Sequence, residues 1–288
     1  MTILLSPLRY PGSKIRVVDY MSKVLDFNGF RADILVEPFV GGGSVFLNFL
    51  ANDWAKRVII GDKDRLIFSF WKTLFGDTRY LINFIRKVNI NLREFKYYKQ
   101  ITVNQSEYEE KKLAEACLFL NRTSYSGLLT DDVGPIGGKL QKSEYKIDCR
   151  FNRKTLIERI EEIAKFKPKV KVLPYDWERT IDYALEKSKE AKLLFYLDPP
   201  FYLKGHLLYR CYFENGEHYE LSEKIKSLKF KWILSYDKGP EIRKMYSEFI
   251  KKGLAFPYSL NSSARRIETE YFITCKDFQL PPERFLTK

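Results

Sequence analysis

Residues 194–202 read LFYLDPPFY, an apolar run that stops at an acid, two prolines and two aromatic residues. A short apolar run predicts a buried strand, which ends at the prolines because they lack the N–H group that a strand ladder needs. Asp198 is therefore predicted at the carboxyl end of a strand, the edge of an open α/β sheet where ligands bind. We expect Pro199 and Pro200 to fix the backbone, so that a main-chain carbonyl points outward beside the Asp198 carboxylate.

These two fixed acceptors would lie beside the aromatic ring of Phe201. Two acceptors and a ring suit a planar group that carries an NH2, such as the exocyclic amine of a nucleobase held by stacking. An ordinary exit from a strand into a turn would give the same residues, and Asp-Pro-Pro alone does not separate the two interpretations. A second motif is needed to decide between them.

That second motif is a glycine-rich stretch upstream, residues 35–49, which reads LVEPFVGGGSVFLNF and predicts a strand, a glycine turn and a buried helix. The turn from Gly41 to Gly43 has no Cβ atoms, which lets a ligand lie against the backbone. The dinucleotide fingerprint G-x-G-x-x-G is incomplete because Phe46 stands where its third glycine belongs. Asp62, nineteen residues after Gly43, follows the next predicted strand, where an acid commonly binds ribose hydroxyls. This combination favours a mononucleoside cofactor such as S-adenosylmethionine over NAD.

The composition is that of a folded protein with a basic surface. Of 288 residues, 45% are hydrophobic, and 50 Lys and Arg against 37 Asp and Glu give a net charge of +13, which suits a polyanionic partner. The four cysteines form no C-x-x-C pair and there are only two histidines, so no zinc-site spacing occurs and we expect no metal. No signal peptide or membrane span is visible. We expect a soluble monomer in the cytoplasm, associated with the nucleoid.

Further stretches of the chain accompany these two motifs in a fixed order. With them, the series is PLRYPGSK (7–14), the glycine-rich stretch, IIGDKD (59–64), FLNRTSYSGLL (119–129), LDPPFY (197–202), WILSYD (232–237) and ARRIETEYFIT (264–274). In type and order these stretches resemble the Dam-like, alpha-group DNA adenine-N6 methyltransferases, in which the cofactor loop precedes the target-recognition region and a DPPY-type motif follows it. The family usually has Tyr where this chain has Phe201; stacking needs only the ring, so we expect activity to survive this change.

The resemblance implies an α/β, Rossmann-like S-adenosylmethionine-dependent methyltransferase fold with a mixed seven-stranded sheet and an inserted helical target-recognition domain. Residues 1–75 and 167–288 would form the catalytic domain, and residues 76–166 the DNA-binding insertion. The pattern of the sequence agrees, since strands and helices alternate at both ends around a charged, helix-rich middle. The last two predicted strands, around 255–260 and 270–275, would be antiparallel.

The resemblance also implies the reaction, which is site-specific methyl transfer from S-adenosylmethionine to the exocyclic amine of an adenine flipped out of double-stranded DNA. The Asp198 carboxylate and the Pro199 carbonyl would each accept one hydrogen of the amine, while Phe201 stacks on the base. A cognate restriction endonuclease would be a partner if the protein serves restriction-modification. The same motif would fit the amine of cytosine, so an N4-cytosine DNA methyltransferase is an alternative, as is a catalytically inactive DNA-binding relative.

For the cofactor, the resemblance points to Tyr10, Lys14, Glu37, Phe39, Gly41, Gly43, Asp62, Asp176 and Asp198. Lys14 would reach the cofactor carboxylate as a point charge, unless it is a surface lysine after a Gly-Ser turn. Tyr10 would lie near the cofactor, and Asp62 would hold the ribose hydroxyls. Asp176 would accept a hydrogen bond from the adenine amine of the cofactor, or it would cap the helix that follows it.

For DNA, the resemblance points to Asn121, Arg122, Tyr125, Ser126, Thr130, Lys139 and Lys142. Arg122 would be a phosphate contact or a structural residue, and Tyr125 would stack or fill the gap that a flipped base leaves. Lys139 and Lys142 are expected at the DNA backbone.

Site choice is assigned to residues 124–142. Family members that read GATC have an arginine shortly after the N-R-x-x-Y-x-G stretch, where this chain has Thr130. Arginine is the usual reader of guanine, so its absence predicts a site other than GATC. Asp131 and Asp132 could accept from cytosine N4, or they could cap a turn.

Overall fold

The computed structural model describes residues 2–9, 14–188, 190–203, 205–258 and 266–282. The strands of this part of the chain are β1 (Ala32–Glu37), β2 (Ala55–Gly61), β3 (Val170–Leu173), β4 (Leu193–Leu197), β5 (Lys231–Asp237), β6 (Ile250–Tyr258) and β7 (Arg266–Thr274). They form one sheet in the order β3-β2-β1-β4-β5-β7-β6. The first five strands in chain order run parallel to one another, whereas β7 is antiparallel to both β5 and β6. The predicted mixed seven-stranded sheet is confirmed.

Helices precede, follow and separate the strands. They are α1 (Ile15–Phe27), α2 (Ser44–Ala51), α3 (Arg65–Gly76), α4 (Thr78–Lys87), α5 (Leu92–Val103), α6 (Glu110–Thr123), α7 (Arg153–Ala164), α8 (Trp177–Lys187), α9 (Gly205–Leu208), α10 (Asn215–Ser227) and α11 (Pro240–Met245), with 3₁₀ turns at Gln105–Glu107, Tyr125–Gly127 and Lys167–Lys169. None of the helices in the described part of the chain is long and apolar enough to cross a membrane.

Strand β4 is the centre of the sheet and of the core. All five of its residues are buried, because it lies between β1 and β5 and its faces are covered. A strand in this environment needs apolar residues on both faces, which accounts for the unbroken run LLFYL. The core continues through helices α3 and α6, where Trp71 and Phe119 are wholly buried.

The order of the strands creates a crevice at the carboxyl ends of β1 and β4. Strand β1 pairs with β2 on one side and with β4 on the other. The chain therefore adds β2 on one side of β1 and later adds β4 on the opposite side. Ligands bind at such a switch point in open α/β sheets. Carboxylates gather there, since Glu37 ends β1, Asp62 follows β2, Asp198 follows β4 and Asp237 ends β5.

Between β2 and β3 the chain forms helices α3 to α7. Helix α6 packs on both α3 and α5, and helix α7 packs on α4. Apolar residues of this stretch, such as Phe95, Leu118 and Leu156, belong to the same hydrophobic cluster as the sheet. The assignment of residues 76–166 to a separate target-recognition domain stays a prediction.

Candidate active site

The largest concentration of predicted functional residues lines one cleft at the carboxyl edge of the sheet. Predicted residues among its lining are Lys14, Glu37, Phe39, Gly41, Gly43, Asp62, Asp198 and Pro200. The structure therefore brings together residues from the N-terminal motif, the glycine turn and the Asp-Pro-Pro motif.

The glycine turn is shaped by contact with helix α3. Gly43 has a φ of +70°, and a Cβ atom there would lie 2.5 Å from side-chain atoms of both Phe46 and Trp71. The Trp71 indole N–H donates a 3.0 Å hydrogen bond to the carbonyl of Gly41. Only a glycine fits at position 43, because any side chain would meet both a left-handed backbone and two rings.

The Asp62 carboxylate fastens the glycine turn to strand β2. One of its oxygens accepts a 2.9 Å hydrogen bond from the Gly41 N–H, and the other accepts from the Asp64 N–H at 2.9 Å. Burial, with a smaller contribution from the Asp64 charge, raises the pKa of Asp62 to about 7. Near neutral pH this group can therefore act as either an acceptor or a donor.

Glu37 is a second buried acid on the same edge. Its side chain accepts a 3.1 Å hydrogen bond from the N–H of Phe46, at the start of α2, and the residue is only 3% exposed. Burial raises the pKa of Glu37 well above its ordinary value, and the nearby charges of Asp198 and Asp62 act in the same direction. Glu37 thus anchors helix α2 to the end of β1.

Asp198 is held by neighbours on two sides. Its Oδ1 atom accepts a 2.8 Å hydrogen bond from the Ser235 hydroxyl on β5 and lies 3.0 Å from the Lys14 ammonium. The same ammonium donates to Glu270 on β7 at 2.7 Å. Lys14 is therefore not a surface lysine; its side chain is 11% exposed and lies between two carboxylates.

The charges in this group shift one another's pKa values. Burial raises the pKa of Asp198, and the attraction of Lys14 offsets only part of the increase. Burial lowers the pKa of Lys14, but Asp198 and Glu270 together raise it above its ordinary value. Lys14 is thus a cation at neutral pH.

The turn after the two prolines is fixed by Asp237. Its carboxylate accepts hydrogen bonds from the backbone N–H groups of Tyr202, at 2.8 Å, and Leu203, at 3.1 Å. The preceding residue, Phe201, is 4% exposed. The rings of Phe201 and Tyr209 pack edge to face, with their centroids 6.0 Å apart. The Lys14 ammonium lies 5.6 Å from the centroid of the Phe201 ring. The Asp-Pro-Pro motif is thus supported by the neighbouring strand β5.

One predicted cofactor residue in the described part of the chain, Asp176, is not among those that line the cleft. Asp176 accepts a 3.0 Å hydrogen bond from the Arg179 N–H and caps helix α8, which was the alternative drawn from the sequence. Its neighbour Trp177 does line the cleft. Tyr10 lies outside the described residues.

The predicted DNA residues Asn121 and Arg122 are buried in the described structure. The Asn121 carboxamide bonds to both the N–H and the carbonyl of Arg9, at 2.6 Å each, and also to the carbonyl of Gly127. The Nε atom of Arg122 donates to the carbonyl of Pro7 at 2.7 Å, and this residue is 8% exposed. These contacts support the structural reading of Arg122 and tie the N-terminal segment to the end of α6.

The other predicted DNA residues lie at or near the surface. Tyr125 is 49% exposed, Lys139 and Lys142 are exposed, and Ser126 and Thr130 are partly buried. The carbonyl of Thr130 accepts a 2.6 Å hydrogen bond from Lys99.

The loop that follows Tyr125 is linked to the cleft by Arg210. The guanidinium lies 2.8 Å from the Asp131 carboxylate and 3.7 Å from the carboxylate of Asp64, and Arg210 itself lines the cleft. The Asp131 carboxylate is thus already engaged within the protein. This contact disfavours the interpretation that Asp131 reads a base.

Comparison with known proteins agrees with this geometry. The sequence profile of the family described as D12 class N6 adenine-specific DNA methyltransferase matches residues 10–255. The chain belongs to this family. By the family's description, its members are N6 adenine-specific DNA methyltransferases.

Relatives of the chain differ in how much of it they match. The type II methyltransferase M.MjaIII of Methanocaldococcus jannaschii is 26% identical over 209 residues, which is 67% of this chain and 68% of the relative. The type II methyltransferase M.CviBI of Paramecium bursaria Chlorella virus NC1A is 22% identical over 91% of this chain and 94% of its own length. The DNA adenine methylase of Escherichia coli K12 is 31% identical over 42% of this chain and 41% of its own length.

Three residues that contact the Asp-Pro-Pro motif or Lys14 were missed as functional candidates by sequence reasoning. Ser235 and Asp237 support the Asp-Pro-Pro motif, and Glu270 shares Lys14 with Asp198. The stretches WILSYD and ARRIETEYFIT contain them, but no local pattern shows what a serine or an acid in a strand contacts. Their partners lie 34 to 256 residues away in the sequence.

The lining of the cleft fits the methyl donor that a methyltransferase family implies. S-adenosylmethionine carries a carboxylate, ribose hydroxyls and an aromatic base. The cleft offers the Lys14 cation, the Asp62 carboxylate, and the apolar side chains of Phe39, Trp177 and Phe213. The carboxylate, the ribose and the base of the cofactor therefore each have a matching group among these residues.

Proposed function

We propose that the protein transfers a methyl group from S-adenosylmethionine to the N6 amine of an adenine flipped out of double-stranded DNA at a specific sequence. The observation that carries the proposal is that Asp198 lies in the same cleft as the glycine turn and Asp62. Membership of the D12 family supports the choice of adenine. The match to type II methyltransferases supports a role in restriction-modification, with a cognate endonuclease as partner.

In the proposed complex, three groups hold the cofactor. Lys14 binds the carboxylate, Asp62 accepts hydrogen bonds from the ribose hydroxyls, and the aromatic lining near Phe39 covers the adenine. When bound, S-adenosylmethionine supplies an electrophilic methyl group on a sulfonium. The proposed cofactor set also keeps Tyr10, Glu37, Gly41 and Gly43 from the sequence prediction.

The chain's own contribution to the chemistry is to prepare the amine. The lone pair of adenine N6 is delocalised into the ring, so a hydrogen-bond acceptor for each N6 hydrogen favours a tetrahedral nitrogen and stabilises the charge that develops there. The Asp198 carboxylate and the Pro199 carbonyl are the proposed acceptors. Correct alignment of two reactants contributes about 7 to 11 kcal/mol in favourable cases. Flipping the base out of the duplex costs a few kcal/mol.

The proposed DNA surface carries the exposed Tyr125 together with Lys139 and Lys142, on a protein of net charge +13. Tyr125 would fill the space left by the flipped base, and the lysines would contact phosphates. Asn121 and Arg122 would act beneath this surface by holding the segment around Arg9. Residues 76–166, as the recognition region, would choose a site other than GATC.

The experiment that tests the proposal is mass spectrometry of nucleosides from DNA treated with the protein and S-adenosylmethionine. N6-methyladenine is expected, and it should be absent with the Asp198→Asn protein. N4-methylcytosine would support the cytosine alternative and contradict the proposal. Methylation of RNA alone, or DNA binding without any methylation, would also contradict it.

A further inference from the structure

The Lys14 ammonium lies beside both groups that the proposed chemistry uses to hold a nucleobase amine. It lies 3.0 Å from Oδ1 of Asp198, the proposed acceptor, and 5.6 Å from the centroid of the Phe201 ring, the proposed stacking surface. An NH2 group of a flipped base would use the same carboxylate and the same ring. Lys14 therefore competes with the substrate for Asp198.

Releasing Asp198 from a buried lysine is costly when nothing else stabilises the ammonium. Breaking a buried ion pair leaves an uncompensated charge in a medium of low polarity. In this protein the ammonium has a second carboxylate, since Glu270 lies 2.7 Å away and is 3% exposed. Lys14 is closer to Glu270 than to Asp198.

We propose that Glu270 is a positioning residue that retains the Lys14 ammonium in the cleft when Asp198 exchanges it for the amine of the target base. The inference rests on the function proposed above. Lys14 then has two positions. In one it is shared by both carboxylates, and in the other it is held by Glu270 alone and is turned toward the carboxylate of the cofactor. Glu270 touches neither substrate nor cofactor in this account and acts through Lys14.

A double-mutant cycle separates this role from a general effect of charge or folding. In Glu270→Gln, Lys14 has only Asp198 as a charged partner, so both cofactor binding and amine binding must break that pair. We expect the Kd for S-adenosylmethionine to rise about tenfold, the effect of losing one charge-assisted hydrogen bond, and kcat/KM for DNA to fall by a further factor of about ten. Glu270→Asp restores the charge and should recover most of both losses.

The same substitution should have little effect once Lys14 is gone. In the Lys14→Met background the Glu270 carboxyl no longer has the ammonium to hold, so Glu270→Gln should change the Kd by less than about twofold. Equal losses in both backgrounds would overturn the proposal, because they would mean that the carboxylate acts on the cationic cofactor directly or on the fold. No loss in either background would overturn it as well.

A matched control is available in Glu115, another buried glutamate paired with a lysine, 2.6 Å from Lys112. Glu115→Gln should lower thermal stability and leave the Kd for S-adenosylmethionine unchanged. Calorimetric titration of the cofactor, run on all of the variants, tests the inference without any turnover. If the unaltered protein binds the cofactor but methylates no nucleic acid, the proposed function fails, whereas the cycle in Kd still decides whether Glu270 acts through Lys14. Absence of cofactor binding in the unaltered protein would overturn both.

Discussion

The hydroxyl of Ser235 on β5 donates a 2.8 Å hydrogen bond to Oδ1 of Asp198, which follows the neighbouring strand β4. Ser235 is in turn 2.7 Å from the phenolic oxygen of Tyr196, which is wholly buried. A chain of two hydroxyls therefore ends on the carboxylate at the centre of the cleft. Because these two hydroxyl groups lie on the paired parallel strands β4 and β5, the orientation of Asp198 is set by the pairing of those strands.

Removing this support should weaken catalysis more than cofactor binding. In Ser235→Ala, Asp198 loses one hydrogen bond to a charged acceptor, worth about 1.5 to 3 kcal/mol, and kcat should fall about tenfold to a hundredfold. Single-turnover methylation kinetics check the rate, and calorimetry checks that the cofactor Kd is unchanged. The control is Ser222→Ala, since Ser222 is equally buried but donates to the carbonyl of Tyr219 in helix α10.

Replacing the carboxylate itself should have a larger effect. Asp198→Asn keeps the shape but removes the charge and presents an NH2 to the target amine, so we expect kcat to fall by a factor of at least about 100 to 1,000. Circular dichroism and DNA binding, measured on the same protein, should show a retained fold and retained affinity. A variant as active as the unaltered protein would rule out the role given to Asp198.

Cofactor affinity should depend on pH through Asp62. Its pKa is raised by burial to about 7, so the carboxylate loses its charge as the pH falls below that value. The charged form is the stronger acceptor for ribose hydroxyls, and the Kd should rise up to about fivefold from pH 7 to pH 6. Titrations of Asp62→Asn over the same range provide the control, because this variant should lack the difference. A pH response that is the same in both proteins would assign it to another group.

The stability of the protein should depend on the absence of a side chain at Gly43 in the glycine turn. In Gly43→Ala, the methyl group meets Phe46 and Trp71 at 2.5 Å on a backbone with a φ of +70°, and we expect the free energy of unfolding to fall by about 2 kcal/mol or more. Gly76→Ala is the matched control, because nothing lies within 4 Å of its Cβ position. It should be neutral or slightly stabilising. Urea denaturation of the two variants checks both expectations.

Site choice should follow residues 124–142 rather than the Asp131 carboxylate. Since Asp131 is bound by Arg210 at 2.8 Å, Asp131→Asn should loosen this loop and reduce discrimination without creating a new preferred base. Sequencing of methylated positions in a host without other methylases measures the site. Asp132→Asn, at an exposed position next to it, should leave the site unchanged. Strict methylation of GATC, or a new base preference in Asp131→Asn, would contradict these assignments.

The fold was predictable where local sequence fixes the backbone. Prolines after a run of apolar residues end β4 at Leu197, and the glycines between β1 and α2 give the turn that the sequence predicts. The role of Asp176 was not predictable in this way, because an acid before a helix can either cap that helix or contact a ligand. The ion pair of Asp131 with Arg210 joins residues 79 positions apart, and no spacing rule connects them. Such contacts depend on tertiary packing and become visible only in the folded chain.

The pair formed by Lys14 and Glu270 joins residues 256 positions apart. Lys14 immediately precedes the first helix, whereas Glu270 lies on β7, which follows every other strand of the sheet along the chain. A chain that has left the ribosome only as far as β5 already contains the glycine turn and Asp198, but it has no β7 to cover β5. A newly synthesised molecule should therefore become competent for chemistry only after β7 has emerged, and chains that stop before β7 should be inactive.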